Sequence, residues 1–454
     1  MNEDIKNSVI AWANQLENAC KDSPLIHSYE IFMEVDKSNN YIGGLDRKNR
    51  WNSELHSDKN LNFQYQCRLF LHNNTQSFIQ ARKSADTYAK DVIARMLQPS
   101  NCIASTENEG VYNKQENEFN HLETFDLRFS NILLEQREEV MNDHINCIKN
   151  VHPLAKTTHI SITEHEIHRY FRSSTDYGTL DTSTLYELHH TIQLHDREQK
   201  SSMFTHRFAD ICCRHIGWDL LTPPPIPSKT ISNTDILPSW LFIFPANIVK
   251  EIVTLLPPAF EIQRWEDNTS FLTKFIGQPI GSKKLHILDD ATQPSGLHSR
   301  HFDVRGVPPK PLTLFKEGVV QDPYISLSYA QKHNRIPTGH YQLNGQLWTG
   351  NLLTYAGRRS QNMILADKSD ALLMTHLVEP ISLNIQTGMI QITGNVQLFS
   401  ANGVEAQLGI RTIVCNIREI FELLMETAND QHRFDNVDTS SWILENCSIL
   451  TKNL

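Results

Sequence analysis

The run Thr222-Pro-Pro-Pro-Ile-Pro-Ser228 most limits how this chain of 454 residues can fold. Proline fixes φ and has no amide hydrogen, so such a run neither continues a helix nor enters the middle of a sheet. A Pro-rich stretch reads as an extended, semi-rigid spacer. It predicts a linker at 222–228 between an N-terminal domain, 1–221, and a C-terminal domain, 229–454. Either length is enough for a domain with its own core.

Hydropathy periods fill in both halves. Ile5, Val9, Trp12, Ala13 and Leu16 recur at helical spacing and predict an amphipathic helix over 4–18. Tyr29, Ile31, Met33 and Val35 alternate with Glu30 and Glu34, the period of a half-buried strand. Phe63, Tyr65, Cys67, Leu69 and Leu71 give a second strand. Ala85, Tyr88, Ala89, Val92, Ile93 and Met96 predict a helix stopping near Pro99. Residues 105–120 are polar and read as a surface loop. A helix is expected over roughly 122–149, then strands over 157–216, where Tyr186, Leu188, His190, Ile192 and Leu194 alternate with polar residues.

In the C-terminal half, Trp240–Phe244 reads as a buried strand. A helix runs from Pro245 to Leu256 and is stopped by Pro257-Pro258. Lys316-Glu317-Gly318 and Asn402-Gly403 carry hairpin chemistry. Residues 416–428 read as a helix, and Ser441–Leu450 as a closing strand. Helices and strands mix without regular βαβ alternation. The fold class is α+β: an N-terminal mixed helix/sheet domain and a largely antiparallel C-terminal β domain with packed helices.

Composition excludes several functions. Net charge is −10 and no Lys/Arg run stands out, which argues against nucleic-acid binding. No apolar run reaches the ~18 residues that a membrane helix needs. Asn2, Glu3 and Asp4 do not open a signal peptide, so the expected location is cytoplasmic. The eight Cys form no CxxC pair, and reduced thiols are expected.

Histidine is abundant, 21 in all, with many between His144 and His215. His165-Glu166-Ile167-His168 looks like a metalloprotease motif, but HExxH needs imidazoles at i and i+4 on a helix, and position 169 is Arg in a strand-like stretch. His189 and His190 would point to opposite sheet faces. Structural or surface histidines are the plainer reading, with a pH-sensitive or metal-binding patch as the sharper one. Asp289-Asp290 with Asp303 suggests either an acid/base pair or turn and cap chemistry. Cys415 reads as a buried thiol at a helix start. No GxSxG, Walker loop or GxGxxG is present.

The stretch Leu285–Asp322 resembles a block of the TldD/PmbA family of metalloprotease subunits, roughly DDPxxxGxxSxxFDxEGxP followed by a strand, turn and strand. Asp289, Asp290, Gly296, Ser299, Phe302, Asp303, Gly306 and Pro308 match it in order. Thr349–Gly357, Thr387-Gly388 with Gly394 and Asn402-Gly403, and Ser440–Ile449 resemble its later strands. Val304-Arg305 depart from the acidic residue usual before the Gly.

The resemblance implies two kinds of subunit. The catalytic TldD kind carries HExxxH on the helix before this block, with a later Cys completing a zinc site. The TldE (PmbA) kind lacks these ligands. Here the motif positions hold Lys250, Glu251 and Leu255, so the imidazoles are gone, and near 429–438 there is His432 but no Cys. The implied role is a non-catalytic subunit paired with a TldD-type partner that supplies the zinc. Together they would enclose a chamber for extended peptides, as in leader-peptide removal from ribosomally made modified peptides or degradation of unfolded ones. Chamber-contact candidates are Arg300, Asp303, Arg305 and Asn351. A stand-alone peptide-binding homodimer and a metallopeptidase with a relocated His site are the alternatives. No metal or other cofactor is expected in this chain, nor a nucleic-acid or membrane partner.

Overall fold

The structure is a computed structural model that describes residues 3–446 except 46–50, 53–57, 85, 105–110, 112–121, 129–133, 152, 154–155, 176, 194–198, 209–228, 232–235, 237–238, 343–344, 369 and 401–402. The expected 222–228 linker, Cys212-Cys213, Asn402, Cys447 and all of the 105–120 loop but Val111 therefore lie outside the described residues.

The chain divides into two compact units. The first comprises 1–221, 291–310 and 325–348, and the second comprises 222–290, 311–324 and 349–454. Two segments that the sequence reading placed in the C-terminal domain thus group with the N-terminal half. Proline punctuation marks one chain break, but it carries no information about segments that return across it.

Unit 1 is built on an eight-stranded sheet. Its strands are β1 (Ile26–Leu45), β2 (Trp51–Asn52), β3 (Asp58–Leu71), β4 (Thr75–Arg82), β5 (Cys102–Ala104), β6 (Lys156–Ser173), β7 (Gly178–Gln193) and β8 (Gln199–His206). The order is β5-β4-β3-β1-β6-β7-β8, with β2 beside β1. Helices α1 (Glu3–Lys21) and α2 (Ala89–Met96) bury Val9, Trp12, Leu16, Val92, Ile93 and Met96 against Ile31, Met33, Cys67 and Leu69. Each such aliphatic or aromatic group is worth about 1.5–3 kcal/mol when fully withdrawn from water. Helix α3 (Leu134–Val151) packs Met141 and Ile145 on Ile160, Ile162, Tyr186 and Leu188. A third cluster joins Phe32, Phe171 and Tyr177 to Phe302 and Val304 of the returning segment.

Of the expected helix over 122–149, Leu134–Val151 is helical. Residues 122–128 are not helical, because they are tied to β7. Thr124 Oγ1 donates to the Thr182 carbonyl, and the Asp126 amide donates to Thr184 Oγ1.

Unit 2 holds two sheets. Its strands are β9 (Leu241–Phe244), β10 (Ile287–Asp290), β11 (Leu312–Lys316), β12 (Val319–Val320), β13 (Asn351–Thr354), β14 (Ala371–Leu377), β15 (Ser382–Leu383), β16 (Met389–Ser400), β17 (Gly403–Asn416), β18 (Leu424–Thr427), β19 (His432–Phe434), β20 (Val437–Thr439) and β21 (Trp442–Leu444). One sheet runs β12-β11-β10-β13-β20-β19, and the other runs β15-β16-β14-β9-β21-β18 with β17 on β16. Most pairs are antiparallel; β13/β20 and β14/β9 are parallel. Phe260, Phe315, Phe421 and Trp442 form a chain of edge-on rings with centroids 5.0–6.3 Å apart, linking β11 to β21. The mixed α+β architecture expected from the sequence is what the chain adopts.

Helices α4 (Ala246–Thr254), α5 (Ile262–Glu266), α6 (Leu327–His333), α7 (Gln361–Lys368) and α8 (Ile417–Leu423) complete the described elements, α6 belonging to unit 1. The expected helix 416–428 is cut short at Leu423, since Leu424–Thr427 pair with Trp442–Leu444 instead. Asn416 caps α8 in a capping box with Glu419, so Cys415 ends a strand and does not begin the helix. Glu317 and Gly318 both have positive φ, 51° and 73°, as a tight hairpin between β11 and β12 requires.

Candidate functional site

Helix α4 presents Ile248, Val249, Ile252 and Val253 to the core, all fully buried. Lys250 and Glu251 are left at its partly exposed edge, where Lys250 Nζ lies 2.9 Å from Glu251 Oε1. Leu255 is the C-cap, with φ −83° and ψ −12°. The helix packs against the β19–β20 hairpin, which carries His432 at its start. Burial lowers the pKa of that imidazole despite Asp438 and Asp430 nearby.

The matched block forms loops held by its own polar side chains. Asp289 sits on β10, fully buried, where it accepts from the Tyr324 hydroxyl and from the Gly350 amide at 2.8 Å. Asp289 is therefore a strand residue bracing two neighbouring segments. Asp303 Oδ1 accepts from the Arg305 and Val307 amides at 2.9 and 3.1 Å, and Oδ2 from the Tyr341 amide at 3.4 Å. Burial pushes its carboxyl up to about 6 even against these hydrogen bonds. Gly306 has φ +76°, and a Cβ there would lie 2.5 Å from the Phe171 ring. Gly357 is needed for a different reason, since a Cβ would meet the Thr427 carbonyl at 1.8 Å.

The four chamber candidates, Arg300, Asp303, Arg305 and Asn351, are buried within this chain. Arg300 is 1 % exposed, bonds the carbonyls of His298, Gly339 and Trp348, and lies 4.2 Å over the Trp348 ring. Asp303 organises its own turn, as described. Arg305 pairs with Glu30. Asn351 Nδ2 donates to the Asp290 carbonyl at 2.7 Å. These residue types stood out because they are polar in a matched motif; here Arg300, Asp303 and Asn351 satisfy backbone groups that the loops would otherwise bury unpaired, and Arg305 satisfies the buried Glu30 carboxylate.

The histidines are dispersed along the unit 1 sheet. His165 Nδ1 is 3.0 Å from Asp36, and its Nε2 is 3.7 Å from Glu187. Burial disfavours its charge, but the two carboxylates outweigh burial and raise the imidazole to about 9. His168 lies 3.2 Å from Glu166. His190 meets His144 inside in a tilted arrangement, at 4.8 Å between centroids, while His159 and His189 meet at 5.5 Å. Burial, and then His144, press His190 down to about 3. Among the described residues, no three His, Cys, Asp or Glu are grouped to hold a metal ion.

Sequence reasoning missed the pairs that fix the returning segment in unit 1. Arg207 is buried and donates to the carbonyls of Gly296, Leu297 and Ser299 and to that of Thr184. Burial lowers its guanidinium to about 9. Asp181 accepts from His301 Nδ1 at 2.8 Å. The partners in the returning segment lie about ninety or more residues away from Arg207 and Asp181, and no local pattern signals them.

Residues 241–451 match the family model of the PmbA/TldA metallopeptidase C-terminal domain. The second half of the chain is thus similar to the C-terminal domain of that family. Solved structures share the fold over nearly the whole chain. TldE from Thermococcus kodakarensis has a TM-score of 0.75 at 14% identity, covering 96% of this chain and 98% of that one. A protein described as a candidate modulator of DNA gyrase from Bacteroides thetaiotaomicron gives 0.75 at 13%, covering 98% of both chains. Another so described, from Thermotoga maritima, gives 0.74 at 14%, covering 96% and 99%. No curated protein sequence matches the chain.

A TldD/PmbA metallopeptidase site needs about three protein ligands to hold zinc with an open position for water. Lys250, Glu251 and Leu255, the expected motif positions, do not fit such a site. Leu255 has no donor atom, and the Lys250 ammonium, itself a cation, is paired with Glu251.

Proposed function

We propose that this chain is a TldE-type, non-catalytic subunit of a heterodimeric TldD/TldE-type metalloprotease. Its TldD-type partner would contribute the zinc and the general base, and this subunit would form part of a chamber that admits extended peptides. The processing step would be leader-peptide removal from ribosomally made modified peptides, or degradation of unfolded peptides. The reading is supported by one observation above others: a metallopeptidase-family domain whose motif helix carries a Lys250–Glu251 ion pair and Leu255 in place of imidazoles. An extended peptide suits a largely antiparallel β domain, because strand addition supplies main-chain hydrogen bonds with little demand on sequence. Among the described residues, no helix is long and apolar enough to cross a membrane. The proposal places the complex in the cytoplasm.

Co-expression with an HExxxH-bearing relative tests this reading. The expected outcome is a mixed dimer by size-exclusion chromatography, one zinc per dimer, and peptide cleavage only when both chains are present. Stoichiometric zinc and cleavage by this chain alone would refute it.

A further inference from the structure

We propose that Thr182, on the wall of a cavity in unit 1, is an activated nucleophile that takes an acyl group from an activated ester, with His168 as its general base and Glu166 positioning that base. Every group involved lies in this chain, so the step stands apart from the zinc chemistry assigned to a partner.

Thr182 of β7 and His168 of β6 stand directly opposite each other in the sheet. Glu166 lies two residues from His168 along β6 and so shares its sheet face. Thr182 Oγ1 is 3.3 Å from His168 Nδ1, and His168 Nε2 is 3.2 Å from Glu166 Oε1. His168 and Glu166 are 0% and 2% exposed, whereas Thr182 is half-buried. Lys37 Nζ lies 3.7 Å from the other Glu166 oxygen, a cation set against the carboxylate. A carboxylate only accepts, so it takes the Nε2 proton and leaves the Nδ1 lone pair turned to the Thr182 hydroxyl. Hydroxyl, imidazole and carboxylate in this order are the nucleophile, base and orienting group of acyl transfer. Such hydrogen bonds are often a little long before substrate binds.

Thr182 shares the cavity wall with Leu122, Phe125, Leu180 and Phe208, and the volume of about 690 Å³ has room for a small acyl donor. The same wall carries Glu123, Asp126 and Asp181 against Arg128 and His301, with Arg128 forked on Asp126 and His301 bonded to Asp181. It therefore gathers no excess of positive charge, which a transferring phosphoryl group needs. An uncharged acyl carbon makes no such demand. In the step, Thr182 Oγ bonds to the acyl carbon as its proton passes to His168 Nδ1. The bond from that carbon to the leaving oxygen then breaks, and the leaving oxygen departs with the electron pair and takes the proton from His168.

The full chain is incubated alone with p-nitrophenyl acetate, release of p-nitrophenolate is followed, and acetylated residues are located by peptide mass spectrometry. The expected result is a burst of one p-nitrophenolate per chain, with the acetyl group on Thr182. Thr182→Ser should keep the burst and Thr182→Val should remove it. His168→Asn puts an amide in place of the base and should slow acetylation about a hundredfold or more. Glu166→Gln should slow it too, and nitrogen NMR should find the His168 proton moved from Nε2 to Nδ1, a change that a merely structural carboxylate would not cause. Circular dichroism checks the fold of each variant, and the two Thr182 variants, on a half-buried side chain, decide the matter if a buried substitution unfolds the chain. Acetylation of Thr182 no faster than that of the exposed Ser201 would overturn the proposal. So would a burst that survives Thr182→Val, a folded His168→Asn chain that reacts like its parent, or a Glu166→Gln chain with rate and ring proton unchanged.

Discussion

The Arg305 guanidinium grips the Glu30 carboxylate in a two-pronged, fully enclosed ion pair: Nε stands 3.0 Å from Oε2 and Nη2 2.9 Å from Oε1, with neither side chain more than 5% exposed. Arg305 is the residue that departs from the acidic position of the matched block. Unit 1 accommodates the departure by placing a carboxylate from β1, 275 residues away, against it. Paired forks of this kind are geometrically demanding, and a lysine would not reproduce one.

Removing either partner should leave the other charge buried and unmatched. Arg305→Ala or Glu30→Ala is expected to cost about 3–5 kcal/mol in urea unfolding, and the joint change Glu30→Leu/Arg305→Met much less than the sum. Additive losses in the double variant would mean that the pair is not energetically coupled.

Gly306→Ala should cost at least about 2 kcal/mol, from the left-handed backbone and from collision with the Phe171 ring. Trimming the ring with Phe171→Leu in the same chain should recover only the steric part. A melting temperature unchanged by Gly306→Ala would contradict both causes.

Two histidines bend the pH profile in opposite directions. His190 has its folded pKa pressed down to about 3, so the unfolded chain takes up its proton first. Its contribution is complete above about pH 6.5 and is lost as pH falls toward 3, with a slope of at most about 1.4 kcal/mol per pH unit. His165 is raised to about 9 by Asp36 and Glu187, so its contribution is complete below about pH 6.5 and is lost as pH rises through 9. Urea midpoints measured from pH 4 to 10 should show both limbs. His165→Gln should flatten only the alkaline limb. NMR should find the His190 ring neutral at pH 5.

Lys250 and Glu251 form a partly exposed pair of the kind that contributes little. Lys250→Ala or Glu251→Ala in the proposed heterodimer should leave zinc content unchanged and cleavage within about threefold, since surface pairs are worth about 1 kcal/mol or less. Loss of zinc from the complex on Glu251→Ala would assign this helix a ligand role.

Local pattern and a matched block determined much of this protein. Period-two alternation marked β1, β3 and β7, helical spacing marked α1, proline punctuation bounded α4, and turn chemistry at Glu317-Gly318 marked a hairpin, because each is fixed by side chains within a few residues of one another. That Lys250 and Leu255 carry no imidazole is equally a matter of sequence, since no fold can add a donor atom to a leucine. Only the tertiary structure decided the rest. Residues 122–128 are held out of the helical pattern by β7, and 424–427 turn from helix to strand because Trp442–Leu444 offer a pairing edge. Segments 291–310 and 325–348 join the first unit, and Arg300, Asp303, Arg305 and Asn351 turn inward. Those outcomes depend on partners tens to hundreds of residues away, where burial makes an unmatched polar group costly, and no window along the chain contains both halves of such a bond.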